Sequence, residues 1–178
     1  MVGALINEDG RDLKKIKSRI GMAKQAFNNL SNVLKNRTLS IDLRKRIMRC
    51  YVWTVLKYSC ETWTMNADSE RRLNAFEMWC YRRMLKIPWT DFATNVSVLA
   101  KVKEENRTIV EDIKHRKEKY IGHKIRENGI FMLAVQGRIQ GRPIRGRKRS
   151  EMLTTNSPSN SPCKNLRDTI RYARNRRI

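Results

Sequence analysis

The sequence predicts an all-α fold: a helical bundle, a second long basic helix and a flexible basic C-terminal tail. Apolar residues recur at alternating spacings of three and four over long segments, the mark of amphipathic helices. The aromatics gather in one stretch, Cys50 to Ile87, which with two more residues holds Trp53, Trp63, Trp79 and Trp89. Large aromatics dominate core energetics, so the core is expected there. Beyond Gly137 the composition turns to Gly, Arg, Ser and Pro, with little left to bury.

Each element has its own warrant. Residues 5–8 read as a short extended piece ending at the turn dipeptide Asp9-Gly10. Leu13, Ile16, Ile20, Ala23, Phe27, Leu30 and Leu34 form the seam of a first helix, which would run roughly 35 Å. Lys14, Lys15, Lys17, Lys24, Asn28 and Asn29 fall off that seam. After a linker, Ser40 is placed to cap a second helix, with Asp42 offsetting the dipole in its first turn. Leu43, Ile47, Tyr51, Val55 and Tyr58 would form its inner side, with Arg44, Lys45, Arg46 and Arg49 outside. From Cys50 to Leu56 it is apolar nearly all round and is expected to be enclosed.

Asn66 or Asp68 caps a third helix with the core stripe Leu73, Phe76, Cys80, Met84 and Ile87. About 100° away run Arg72, Trp79, Arg83 and Lys86, spaced seven, four and three. Guanidinium groups beside an indole suit a phosphate backbone with a stacked base. The same pattern also fits an indole in the core with basic stems over its edge. Pro88 would stop this helix. Thr94 opens a short helix through Val98, Leu99 and Val102, and a longer one follows from about 106 to 127. Its apolar positions are Ile109, Val110, Ile113, Tyr120, Ile121 and Ile125; Lys114, Arg116, Lys117, Lys119, Lys124 and Arg126 would make a basic side. Gly137 to Arg149 forms a basic arm carrying Arg142, Arg145, Arg147, Lys148 and Arg149, and Gly141-Arg142-Pro143 resembles the core of an AT-hook. The Ser/Asn/Pro/Thr-rich residues 154–163 would be disordered, and 165–177 could form a short basic helix.

Composition narrows the function classes. The 178 residues carry 39 Lys+Arg against 17 Asp+Glu, a net charge of +22. Such a chain attracts polyanions, and nucleic acid is the first partner to consider. No apolar run approaches the ~20 residues of a membrane span, so no membrane partner is expected. The start MVGALINEDG has no signal-peptide pattern. Cys50, Cys60, Cys80 and Cys163 form no CxxC pair, which points to reduced thiols in an intracellular protein, three of them core hydrophobes. His115 and His123 lack partnered ligand spacing. Neither a nucleophile–base constellation nor a phosphate loop is present, so no catalytic residue, metal, cofactor or small-molecule substrate is expected.

Three blocks carry a resemblance: IKSRIGMAKQAFNNLSNVL, SIDLRKRIMRCYVWTVLKYSCETW and ERRLNAFEMWCYRRMLKIPWTDFATN. Together with LINEDGR, YIGHKIR and the Gly/Arg-rich arm, they resemble the C-terminal part of the endonuclease–reverse transcriptase of animal non-LTR (LINE-type) retrotransposons. The likeness extends to about Arg149. It implies a thumb-like helical domain over 1–90 that grips RNA–DNA template–primer. It implies a basic helical extension over 91–135; composition alone sets off a linker over 136–163 and a tail over 164–178. Arg72, Trp79, Arg83, Lys86 and Lys117, with the five cations of the arm, would contact RNA–DNA hybrid or target DNA, in the nucleus. A separate polymerase palm is a further partner implied, with the Leu13–Leu34 seam as the contact; a decayed element without function is the remaining alternative. A reverse transcriptase palm holds two divalent cations with an aspartate pair and a third aspartate. The chain has no Asp-Asp pair, so by this resemblance it would hold nucleic acid without acting on it. Val96-Ser97, Pro88 and the tail beyond Arg149 depart from the family pattern, and Met1 would fall within a longer ancestral frame.

Overall fold

A computed structural model describes residues 13–127 and Arg171. The extended piece at 5–8, the apolar patch at 130–135, the basic arm, Cys163 and the C-terminal helix lie outside the described residues, Arg171 excepted, which is helical. The described residues are all-α: α1 (Leu13–Asn29), α2 (Ser31–Leu34), α3 (Ile41–Leu56), α4 (Ala67–Leu85), α5 (Asn95–Lys101) and α6 (Ile109–Arg126), with 3-10 turns at Cys60–Thr62 and Trp89–Asp91. The chain divides into two compact units, residues 1–112 and 113–178.

The caps form as the residue types require. Ser40 Oγ accepts from Leu43 N at 3.3 Å, Asn66 Oδ1 from Ser69 N at 2.8 Å and Thr94 Oγ1 from Ser97 N at 3.3 Å. Each satisfies one of the orphan amides of a helix start. The 13–34 run is not one helix. It ends at Asn29, and Leu30 (φ −96°, ψ 9°) leaves helical geometry before α2. Asn28, Asn29, Ser31 and Asn32 have side chains that compete for backbone hydrogen bonds, which makes this the weak point of the run. Its first helix is therefore 17 residues, about 25 Å.

The core of the first unit is an aromatic chain. Trp53 of α3 lies 5.9 Å from Phe76 and 6.5 Å from Tyr81 of α4. Phe76 stacks on Trp79 at 5.9 Å, and Trp79 meets Phe27 of α1 edge-on at 5.2 Å. Each such pair adds about 0.5–1.5 kcal/mol beyond its area burial. Leu73, Phe76, Cys80 and Met84 are buried as their spacing predicts; Ile87 is half-buried and lies past the helix end. Helix α1 packs along α3 and more lightly on α4, which leaves space between α1 and α4.

The inner face of α3 differs from the one expected. Met48, Val52, Trp53 and Leu56 are buried, whereas Leu43, Tyr51 and Tyr58 are exposed and Ile47 and Val55 half-buried. Cys50 is exposed too, so Cys60 and Cys80 alone of the described cysteines are core hydrophobes. Arg44 and Lys45, expected outside, are 7% and 8% exposed. Their apolar stems pack inward while their charged ends find partners. Arg44 Nη1 donates to the Met84 carbonyl at 3.2 Å, and Lys45 Nζ pairs with Glu104 at 3.1 Å.

Helices α4 and α5 end alike. Ile87 N donates to Arg82 O and Lys86 N to Arg83 O; Glu104 N donates to Leu99 O and Lys103 N to Ala100 O. This is the Schellman arrangement, with the left-handed position occupied by Lys86 (φ 56°) and Lys103 (φ 56°) instead of glycine. Pro88 lies two residues beyond the turn that ends α4.

In residues 113–127, Ile113, Ile121 and Ile125 are buried as expected. Lys117, expected on the basic side, is 1% exposed and buried with them. His123 and Lys124 pair with Glu127 at 3.1 and 2.8 Å. Among the described residues no helix is long and apolar enough to cross a membrane.

Candidate nucleic-acid interface

A cleft of about 450 Å³ opens between α1 and α4, lined by Lys17, Ile20, Gly21, Lys24, Arg72, Ala75, Phe76 and Trp79. Its floor is apolar and aromatic; its rim is cationic; no lining residue is acidic. The helical period explains both walls. Lys17, Gly21 and Lys24 are spaced four and three on the exposed side of α1, with Lys14 one turn earlier. Arg72, Ala75 and Trp79 are spaced three and four on α4.

Trp79 is half-buried, and cations lie against its ring. Arg83 Cζ is 4.8 Å and Lys24 Nζ 5.5 Å from the ring centroid. With Phe76 stacked on it and Phe27 at its edge, the indole belongs in part to the core, and basic side chains extend over it. Both arrangements expected from the sequence meet at this residue. A base could stack on Trp79 only by displacing these neighbours; the rim offers charge without rearrangement.

Among the described residues, most of the charge of this face is uncompensated. Lys14, Lys17, Lys24, Arg83 and Lys86 are exposed and, among the described residues, have no carboxylate within ion-pair distance. Acids are used elsewhere: Glu104 takes Lys45 and Arg49 (2.6 Å), and Asp112 takes Lys57 at 2.9 Å. Arg72 is the exception on the rim. Its Nε donates to Asp68 at 2.9 Å, and Asp68 also accepts from Arg71. Hydrogen bonds from Arg71 and Arg72 hold the Asp68 carboxyl below its usual range. Such an exposed pair contributes little and yields readily to a stronger anion.

Of the residues expected to contact nucleic acid, the fold brings Arg72, Trp79 and Arg83 together. Lys86 is exposed and ends α4 in the left-handed conformation. Lys117 is buried and offers no surface. Arg142, Arg145, Arg147, Lys148 and Arg149 lie outside the described residues. Lys17, Gly21 and Lys24 were not singled out from the sequence as contacts. Their signal was there, in a spacing of four and three on the polar side of the first helix, but nothing local says which helix that side faces.

A buried carboxylate lies on the same helix as Trp79. Glu77 of α4 accepts from Thr108 N (3.0 Å), Thr108 Oγ1 (3.1 Å), Ile109 N (3.3 Å) and Tyr81 Oη (3.2 Å). It caps the start of α6 from another helix. Burial pushes its pKa up against the pull of these donors. Burial, then the Glu77 charge, raises the Tyr81 phenol, and burial raises the Cys80 thiol in the same way. Among the described residues no group of three His, Cys, Asp or Glu could hold a metal ion. No family model matches the chain, and neither a curated protein nor a solved structure matches it. The functional reading therefore rests on the chemistry of the site.

Proposed function

We propose that the chain binds nucleic acid without catalysing a reaction on it. In this reading it is a segment similar to the C-terminal part of a LINE-type reverse transcriptase, and it holds RNA–DNA template–primer in the nucleus. The observation that carries the reading is the α1–α4 face: Lys14, Lys17, Lys24, Arg72 and Arg83 around a half-buried indole, of which Arg72 alone pairs with an acid, Asp68, among the described residues. The affinity of such a surface is dominated by released counterions and falls steeply with salt. The resemblance supplies the polymerase context, and the lack of an Asp-Asp pair limits the role to holding.

Titration of the full chain with a labelled RNA–DNA hybrid at two salt concentrations tests this. Tight binding at low salt that weakens as salt rises is expected; no binding at low salt, or binding indifferent to salt, would sink the proposal. Deleting 137–149 separates the contributions. If Arg83→Glu with Lys86→Glu leaves affinity unchanged while the deletion abolishes it, the arm carries binding and the helices do not.

A second reading is a module that packs against a polymerase palm. The Leu13–Leu34 seam does not favour it, since Ile16, Ala23, Phe27 and Leu34 are already buried. The exposed Leu43 and Tyr51 of α3, with Tyr58 just beyond its end, do favour it, because large apolar side chains left exposed on so charged a chain can meet a partner.

A further inference from the structure

We propose that the α1–α4 cleft seats one unstacked nucleotide of a single strand, with its phosphate held by Lys17, Lys24 and Arg72 and its sugar and base passing over Gly21. This rests on the nucleic-acid reading above and specifies the form of the ligand.

Gly21 supplies the first argument. It lies within α1, where glycine is unfavourable compared with alanine. Its backbone does not require glycine, for it is helical and its φ is not positive. Packing does not require it either: a Cβ added there meets nothing within 4 Å. The missing side chain leaves an open place on the cleft wall between Lys17 and Lys24. An absent side chain in such a place lets a ligand come close to the helix backbone.

The second argument is the mixture of chemistry. A plain anion needs only the rim. This cleft also has an apolar floor of Ile20, Ala75, Phe76 and Trp79. A ligand that is anionic at one end and flat and apolar at the other uses both, and a nucleotide unit is such a ligand. A volume of about 450 Å³ is within the usual range for sites that bind one small-molecule-sized group.

The third argument is width. Packed helices have axes about 8–10 Å apart. A duplex is wider than its own ~12 Å major groove, which already exceeds that spacing. A duplex can lie along the rim, but only a single strand can enter. Lys17, Lys24, Arg72 and Arg83 then serve both forms, while Gly21 serves the single strand alone.

The full chain is titrated by fluorescence anisotropy with a labelled 12-nucleotide oligothymidylate and, separately, with RNA–DNA hybrid. Gly21→Leu is expected to weaken single-strand affinity about tenfold and hybrid affinity less than threefold. Its thermal midpoint should stay level or rise, since leucine favours the helix and a Cβ at this position meets nothing within 4 Å. Lys17→Glu with Lys24→Glu should weaken both ligands. Unchanged single-strand affinity in Gly21→Leu would overturn the inference while leaving the hybrid reading intact. So would inorganic polyphosphate binding as tightly as the oligonucleotide and losing as much on Gly21→Leu, since no base is then recognised. Should Gly21→Leu lower the midpoint, the lysine pair decides: unchanged single-strand affinity there overturns the seat. A chain that binds neither nucleic acid overturns the broader function, and this proposal with it.

Discussion

Three buried charges set the terms at the residue scale. Arg44 donates to the Met84 carbonyl at the C-terminus of α4, where cations are favoured by the helix dipole. Arg44→Met keeps the apolar stem and removes the donor; a loss of about 1–2 kcal/mol is expected in urea denaturation. Glu77 gathers three donors at the start of α6 and a fourth from Tyr81 of its own helix. Glu77→Gln turns one acceptor atom into a donor facing other donors, and should cost about 2–3 kcal/mol. Its pH dependence has a definite sign. Burial raises the folded-state pKa of Glu77 above its ordinary 4.5, so over that interval the native state binds more protons than the unfolded chain. Stability from this group is full below 4.5 and is lost as pH rises through the raised value. The stability gap between the native protein and Glu77→Gln should narrow as pH is raised from 4.5 upward. A gap that widens over that range would contradict the assignment. The third charge, Lys117, is buried in α6, which removes one of the cations expected to meet a polyanion.

At the element scale, helix ends and a helix interior carry the testable features. Lys103 closes α5 in the left-handed conformation, which costs a non-glycine residue roughly 1–2 kcal/mol. Its side chain reaches Asp42 only at 4.0 Å, in an exposed place. Lys103→Gly is therefore expected to stabilise by about 1 kcal/mol, part of the relief being offset by the freer unfolded chain. A fall in the denaturation midpoint would show that Lys103 does more than close the helix. Gly21→Ala should stabilise by about 1 kcal/mol on helix propensity alone. Ser40, Asn66 and Thr94 were legible as caps because capping depends on one side chain and the next three amides. The break at Leu30 was not, because the apolar spacing continues through it while the backbone does not.

For the whole molecule, the governing fact is a net charge of +22 spread unevenly. Acids neutralise Lys45, Arg49 and Lys57 around α3, and none among the described residues neutralises Lys14, Lys17, Lys24 or Arg83. Replacing Lys17 and Lys24 with Glu should reduce the magnitude of the salt slope of single-strand binding by roughly 0.7 for each phosphate no longer neutralised. Equal changes at Arg46 and Lys101, exposed but away from the cleft, should alter it less.

The sequence by itself determined most of the helices, most of their caps, the aromatic core of α4 and the strongly basic charge of the chain. Those properties depend on local spacing and on composition, which need no neighbour to be defined. Only the tertiary structure decided which side of α3 turns inward. From Cys50 to Leu56 that helix is apolar most of the way round, so its spacing admits more than one phase. The phase adopted is the one in which Trp53 meets Phe76 and Tyr81, and in which Arg44 and Lys45 reach a carbonyl and a carboxylate. The cleft is likewise a product of packing. Lys17, Gly21 and Lys24 lie about fifty residues before Arg72 and Trp79, and no local pattern links the two sets. They meet because Phe27 must bury its ring against Trp79, and that packing sets the polar side of α1 beside the basic stripe of α4.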